Sequence, residues 1–140
     1  MKNLVFIAML FITAGLAFPA FPQQNGAGVE NPLKEEMRLL DVAFKNLIDS
    51  VLINDPKGIE EPFHEVHHAK FKTGKALESG GITLPRNHDK MKAFKEMDGR
   101  FHETLEGILK AAGAKDMEEV RKKTHEALDG CVQCHSMFRE

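Results

Sequence analysis

Cys131, Cys134 and His135 are the residues of this sequence best equipped for chemistry. They stand in the run Cys131-Val132-Gln133-Cys134-His135, the C-x-x-C-H spacing of covalent haem attachment. Two thiols at this spacing can add to the two vinyl groups of one porphyrin edge. The adjacent imidazole can then ligate iron from the proximal side. On a helix, Cys131 and His135 are i and i+4 and project from one face. The sequence holds only these 2 cysteines, so none is left over. Two other readings fit a C-x-x-C pair. A redox dithiol accompanies a βαβ pattern, and no strand pattern precedes this pair. A structural zinc site needs a second ligand pair, and no further cysteine exists to supply it. The spacing therefore predicts one covalently attached haem c.

A second cluster is His64-Glu65-Val66-His67-His68, which matches H-E-x-x-H, the helix of zinc proteases. His64 and His68 would be ligands and Glu65 the general base. A small helical chain offers no substrate cleft, and no third ligand follows at a recognised spacing. The plain reading is a polar, histidine-bearing helix face that picks up zinc or copper adventitiously. His67 or His68 as a distal haem ligand is a weaker option. No enzymatic activity is expected.

Composition narrows the class. Formal charge is −2 from 19 basic and 21 acidic side chains, with no basic cluster of the kind that nucleic acid selects. The turn Arg121-Lys122-Lys123 is too small to change that. There are 10 phenylalanines but no tryptophan or tyrosine, which suits an apolar pocket and equally a helical core. Met1-Lys2-Asn3 followed by the apolar run Leu4 to Phe18 reads as a secretory signal over 1–17. Gly15 and Ala17 are the small residues that a signal peptidase recognises. The run is too short, and too soon followed by Pro19 and Pro22, for a membrane span. Residues 18–30 form a Pro, Gln, Asn and Gly-rich leader without periodicity, and 31–140 form one domain. The chain is expected in the periplasm and free of the membrane once the signal is cleaved.

Four stretches of helical periodicity must position these side chains. The first runs from Pro32 to Ile53, with Asn31 as N-cap and Pro32 at the first helical position. Its apolar seam is Leu33, Met37, Leu40, Phe44, Leu47 and Val51. The second runs from Glu60 to Glu78, with Phe63, Val66, Phe71 and Leu77 as a weaker stripe. The third runs from His88 to Ala112, closes at Gly113, and buries Met91, Phe94, Met97, Phe101, Leu105 and Ile108. The fourth runs from Asp116 to Phe138, with Val120, Thr124, Leu128, Cys131, His135 and Phe138 facing inward. Short connections predict an all-α, antiparallel up-down-up-down four-helix bundle. In that topology the start of the first helix lies beside the end of the last. Met37 and His135 then sit at one end and are candidates to grip opposite faces of one haem. Met91 is the rival thioether. Met37 as a gap-filling core methionine is the other reading.

The C-terminal run Cys131-Val132-Gln133-Cys134-His135-Ser136-Met137-Phe138-Arg139, on the last of four helices, resembles the class II c-type cytochromes. These are four-helix bundles in which C-x-x-C-H-x-x-F/Y-R/K closes the chain. The likeness covers the mature domain in helix order and length, and it is specific at residue level only in this motif. The stretch from Met91 to Arg139 is also similar to the second half of the b-type bundle cytochrome. The resemblance implies a secreted electron carrier that serves redox partner proteins. Its iron would be six-coordinate between His135 and Met37, since low-spin members use a methionine early in the first helix. It further implies Arg38 as a partner for a haem propionate and Phe138 against the porphyrin edge. The family's other branch, the cytochromes c′, has five-coordinate iron and binds NO and CO, and there Met37 would only pack. Relatives often dimerise through the first two helices. A homodimer is thus an expectation, although the first helix shows no extra exposed apolar face in the sequence.

Overall fold

The structure is a computed structural model that describes residues 31–139. The expected signal and leader, 1–17 and 18–30, lie outside the described residues. Four α-helices follow in order: α1 (Pro32–Ile53), α2 (Glu60–Glu78), α3 (Met91–Gly113) and α4 (Met117–Phe138). A single 3₁₀ turn, His88–Lys90, precedes α3, and the described residues contain no strand. No helix among them is long and apolar enough to cross a membrane.

Local signals account for the helix ends. The Asn31 side chain accepts hydrogen bonds from the backbone N–H of Leu33 and Lys34, and Pro32 fills the first helical position. Such a cap stabilises a helix by about 1 kcal/mol. α1 ends where Asn54 takes a left-handed conformation (φ 55°), and Asp55 N–H closes onto the Ser50 carbonyl. Asp116 caps α4 through the N–H of Glu119. The third helix departs from expectation at both ends. His88–Lys90 winds as a 3₁₀ turn after Asn87, whose φ is 50°. Gly113 remains inside α3, and the left-handed residue that closes this turn is Lys115, φ 58°.

The helices form an antiparallel four-helix bundle. α1 packs closely along α2, and α3 along α4, while α1–α4 and α2–α3 meet over fewer residues. α1 and α3 are therefore diagonal. The main core gathers Leu40, Ala43, Leu47, Ile59, Phe63, Val66, Leu105, Ile108, Val120 and Ala127. A second core closes the end where α1 begins and α4 finishes, with Leu77, Ile82, Leu84, Phe94 and Phe138. The α2–α3 linker is tied to that end: Arg86 N–H donates to the Phe138 carbonyl (3.3 Å), and Asn87 Nδ2 donates to the Met137 carbonyl (2.6 Å). These bonds satisfy carbonyls of the last turn of α4 that a helix cannot satisfy itself.

The seam of α1 is rotated from the expected one. Its buried residues are Glu36, Leu40, Ala43, Leu47 and Ser50. Leu33, Phe44 and Val51 pack at the flanks, and Met37 is 36 % exposed rather than core-facing. Val42, Ile48, Leu52 and Ile53 of the same helix are exposed. On α4 the buried residues are Val120, Thr124, Ala127 and Phe138; Leu128, Cys131 and His135 sit on a flank. Phe71 of the expected α2 stripe is also exposed, with Lys75 Nζ over its ring at 4.4 Å.

Leu47 is fully buried, so Leu47→Ala is expected to cost about 2–5 kcal/mol of stability in urea melts. Leu52, 76 % exposed on the same helix, should cost less than about 0.5 kcal/mol. Equal effects at the two positions would show that α1 does not pack in this rotation.

Candidate functional site

The rotation that moves large apolar side chains off the seam builds a groove. Between α1 and α4, at the end closed by the second core, lie two adjoining hollows. One has a volume of about 360 Å³ and the other about 440 Å³. Met37, Phe94, Cys134, His135 and Arg139 line both. Leu33, Lys34, Leu84 and Phe138 are among the other walls of the smaller one; Leu40, Phe44, Met97, Phe101 and Cys131, with the carboxylates Asp41 and Asp98, are among those of the larger. The dimensions fall in the range of small-molecule and cofactor sites, about 300–1,000 Å³. The walls are chiefly aliphatic and aromatic, with a few polar groups at defined places.

Packing holds the walls in shape. Phe94 and Phe138 meet edge to face at 5.3 Å and 90°. Phe44 stacks on Phe101 at 6.3 Å. Gly130 faces the Phe101 ring: a Cβ there would lie 3.2 Å from Cδ2, so this position on α4 is close to the limit of bulk.

Cys131 and Cys134 are both free thiols, half-buried on the groove side of α4. Burial raises the Cys131 pKa. Burial is also the main cause that pushes Cys134 up to about 11, helped by Asp98 and Cys131. Both lie in the last two turns of α4, where the helix dipole is negative and opposes thiolate formation. A redox-active dithiol needs the reverse, a depressed pKa at a helix N-terminus. Burial, helped by the Arg139 charge, holds His135 below the ordinary histidine range, which favours the neutral imidazole that binds metal.

The expected site residues thus fall into two groups. Met37, Cys131, Cys134, His135 and Phe138 come to the groove. Among the rival thioethers, Met91 lines neither hollow and packs with Met137 against the second core, while Met97 lines the larger hollow only. Arg38 is not a groove residue. Its guanidinium holds Glu35 in a bidentate pair, 2.6 and 2.8 Å, on the exposed surface. Arg139 is the cation of both hollows instead. His64, His67 and His68 are exposed on α2, and His64 pairs loosely with Glu60 at 3.4 Å.

The donor set fits a covalent haem. Two protonated thiols, an imidazole and a thioether converge on one apolar groove with a basic residue at its edge. Those are the side chains that thioether attachment, axial ligation and a propionate respectively require.

One group of ionisable residues escaped the sequence reading. Glu36, Asp98 and His102 meet inside the bundle, and among the described residues they are the group of three potential metal donors brought closely together. The signal was present: stepping back by three and four from Leu47, Ala43 and Leu40 lands on Glu36, not on Met37. Asp98 and His102 are i and i+4 on one face of α3. No family model, no curated protein and no solved structure matches this chain.

Proposed function

We propose that this chain is a secreted monohaem c-type cytochrome that carries electrons, with iron held by His135 and Met37. The observation that supports this reading is the convergence of Cys131, Cys134, His135 and Met37 on one apolar groove between α1 and α4. Thioether bonds from Cys131 and Cys134 would hold the haem, which when bound supplies a one-electron iron couple. His135 and Met37 would both hold the iron, which would leave no site open for a substrate. Met37 sulfur together with His135 would favour the ferrous state and raise the potential. Phe94, Phe138, Leu84, Phe44 and Phe101 would pack against the haem and shield it from water. Low polarity there disfavours the added charge of the ferric state. Arg139 supplies a positive charge suited to a carboxylate. α1 and α4 are held by a packed core, so their ligands need little rearrangement when the iron changes charge. The secretory route rests on the apolar run before Phe18, outside the described residues.

The test is the visible spectrum of the ferric protein made with haem-attachment machinery present. The expected result is a low-spin spectrum with a weak long-wavelength sulfur-to-iron band. Met37→Ala should abolish that band and convert the spectrum to high spin, while Met97→Ala and Met91→Ala should leave it in place. A wild-type protein that is already high-spin and binds CO rapidly on reduction would instead make it a gas-binding, five-coordinate cytochrome.

A further inference from the structure

Glu36 points away from the groove. It is fully buried, on the inner side of α1, one residue from Met37 on the outer side. His102, 4 % exposed on α3, shares a hydrogen bond between its Nε2 and Glu36 Oε1 at 2.7 Å. This bond crosses the bundle diagonal. Asp98 lies one turn before His102, with Oδ1 3.6 Å from the same Nε2. One donor atom from each residue lies within 4.8 Å of the other two.

The cluster is electrostatically incomplete. Glu36 Oε2 is buried and has no hydrogen-bond partner. An unsatisfied carboxylate oxygen in a helical core is strongly disfavoured. Lys70 acts on Asp98 from outside the trio. Burial is the largest influence on the Asp98 carboxyl and lifts its pKa; Glu36 adds to the lift, while His102 opposes it.

We propose that Glu36, Asp98 and His102 form a binding site for one divalent first-row transition-metal ion, behind the haem groove and sharing Asp98 with its wall. Carboxylate oxygens with one imidazole nitrogen suit Zn²⁺, Mn²⁺ or Fe²⁺. Metal–ligand bonds of about 2.0–2.2 Å place neighbouring donors about 3–3.5 Å apart. The 2.7 and 3.6 Å separations bracket that spacing, so small side-chain shifts suffice. On binding, the proton between Nε2 and Glu36 Oε1 leaves that position, and the neutral imidazole, with its proton on Nδ1, bonds the metal through the Nε2 lone pair. The two positive charges then balance the two carboxylates. Chelation through both oxygens gives Glu36 Oε2 the partner it lacks. His102 also lines a hollow of about 20 Å³ with His67 and Glu106, room for about one water beside the imidazole.

The test uses the full chain with whatever haem it carries, stripped with EDTA and then dialysed against Zn²⁺. Retained zinc is measured by mass spectrometry of the elements, so the readout does not depend on haem or on axial ligation. One equivalent of zinc per chain is expected. Asp98→Asn and Glu36→Gln preserve volume, and each should lose it; whichever variant keeps the wild-type helical circular dichroism decides the matter. The double variant His64→Ala/His68→Ala should retain the zinc. Zinc that survives Asp98→Asn and Glu36→Gln but vanishes with the surface histidines would overturn the proposal, as would a wild type that retains none.

Discussion

Cys131→Ala combined with Cys134→Ala is expected to abolish covalent haem entirely while leaving a folded helical bundle. A thioether cannot form without its thiol, and these are the sequence's only 2 cysteines. Haem staining on a denaturing gel reads the covalent bond directly. Wild type co-expressed with attachment machinery should stain, and the double variant should not. Cys134→Ala alone should give a weaker band, because Cys131 can still form one bond. The bundle should persist, since both thiols are only half-buried and neither forms a disulfide. Alanine is also the best helix former. The raised pKa values matter here: both side chains remain protonated near neutral pH, which makes them poor at disulfide exchange. A wild-type chain that never stains, but cycles between dithiol and disulfide, would remove the cytochrome reading altogether.

The second large effect concerns stability. His102→Ala should destabilise the bundle by about 3–5 kcal/mol, because it strands a buried carboxylate. Glu36 is fully enclosed, and among the described residues Nε2 of His102 is the one hydrogen-bond partner of its side chain. For a domain of this size that loss lowers Tm by roughly 10–30 °C. Removing both partners is a different experiment. Glu36→Leu with His102→Leu replaces a paired charge by apolar volume, which is often neutral or stabilising. The double variant should therefore melt well above His102→Ala. Thermal melts followed by circular dichroism, in EDTA at neutral pH, measure the coupling as the departure from additivity. Additive effects, or a His102→Ala that melts within about 2 °C of wild type, would mean that Glu36 is not enclosed as described.

Most of the architecture was legible in the order of residues. Asn31, Pro32 and the Asn54 break bound α1 at Pro32–Ile53, and α2 runs over the expected Glu60–Glu78. Helix signals are local: a cap satisfies its own N–H groups, and a break acts on its own backbone. Four such segments with short links leave few packings other than an antiparallel bundle. That Cys131, Cys134 and His135 share one side of α4 was legible for the same reason, since the spacing within one helix sets which side chains share a face.

Which flank of each helix meets its neighbour was not legible, because it is a contest between side chains far apart in sequence. Counting apolar residues put Met37 and Phe44 at the centre of α1. Close helix approach instead favours small residues, and the fully buried Ala43 occupies the centre. That rotation displaces Met37, Phe44, Cys131 and His135 to the flanks, where together they line a groove. It also turns Glu36 inward to His102, 66 residues away along the chain. The sequence by itself determined four helices and one reactive motif, through interactions spanning a turn or less. Only the tertiary structure decided that a groove faces that motif and that a buried charge cluster lies behind it. Both follow from how four helices share their volume, which no single segment encodes.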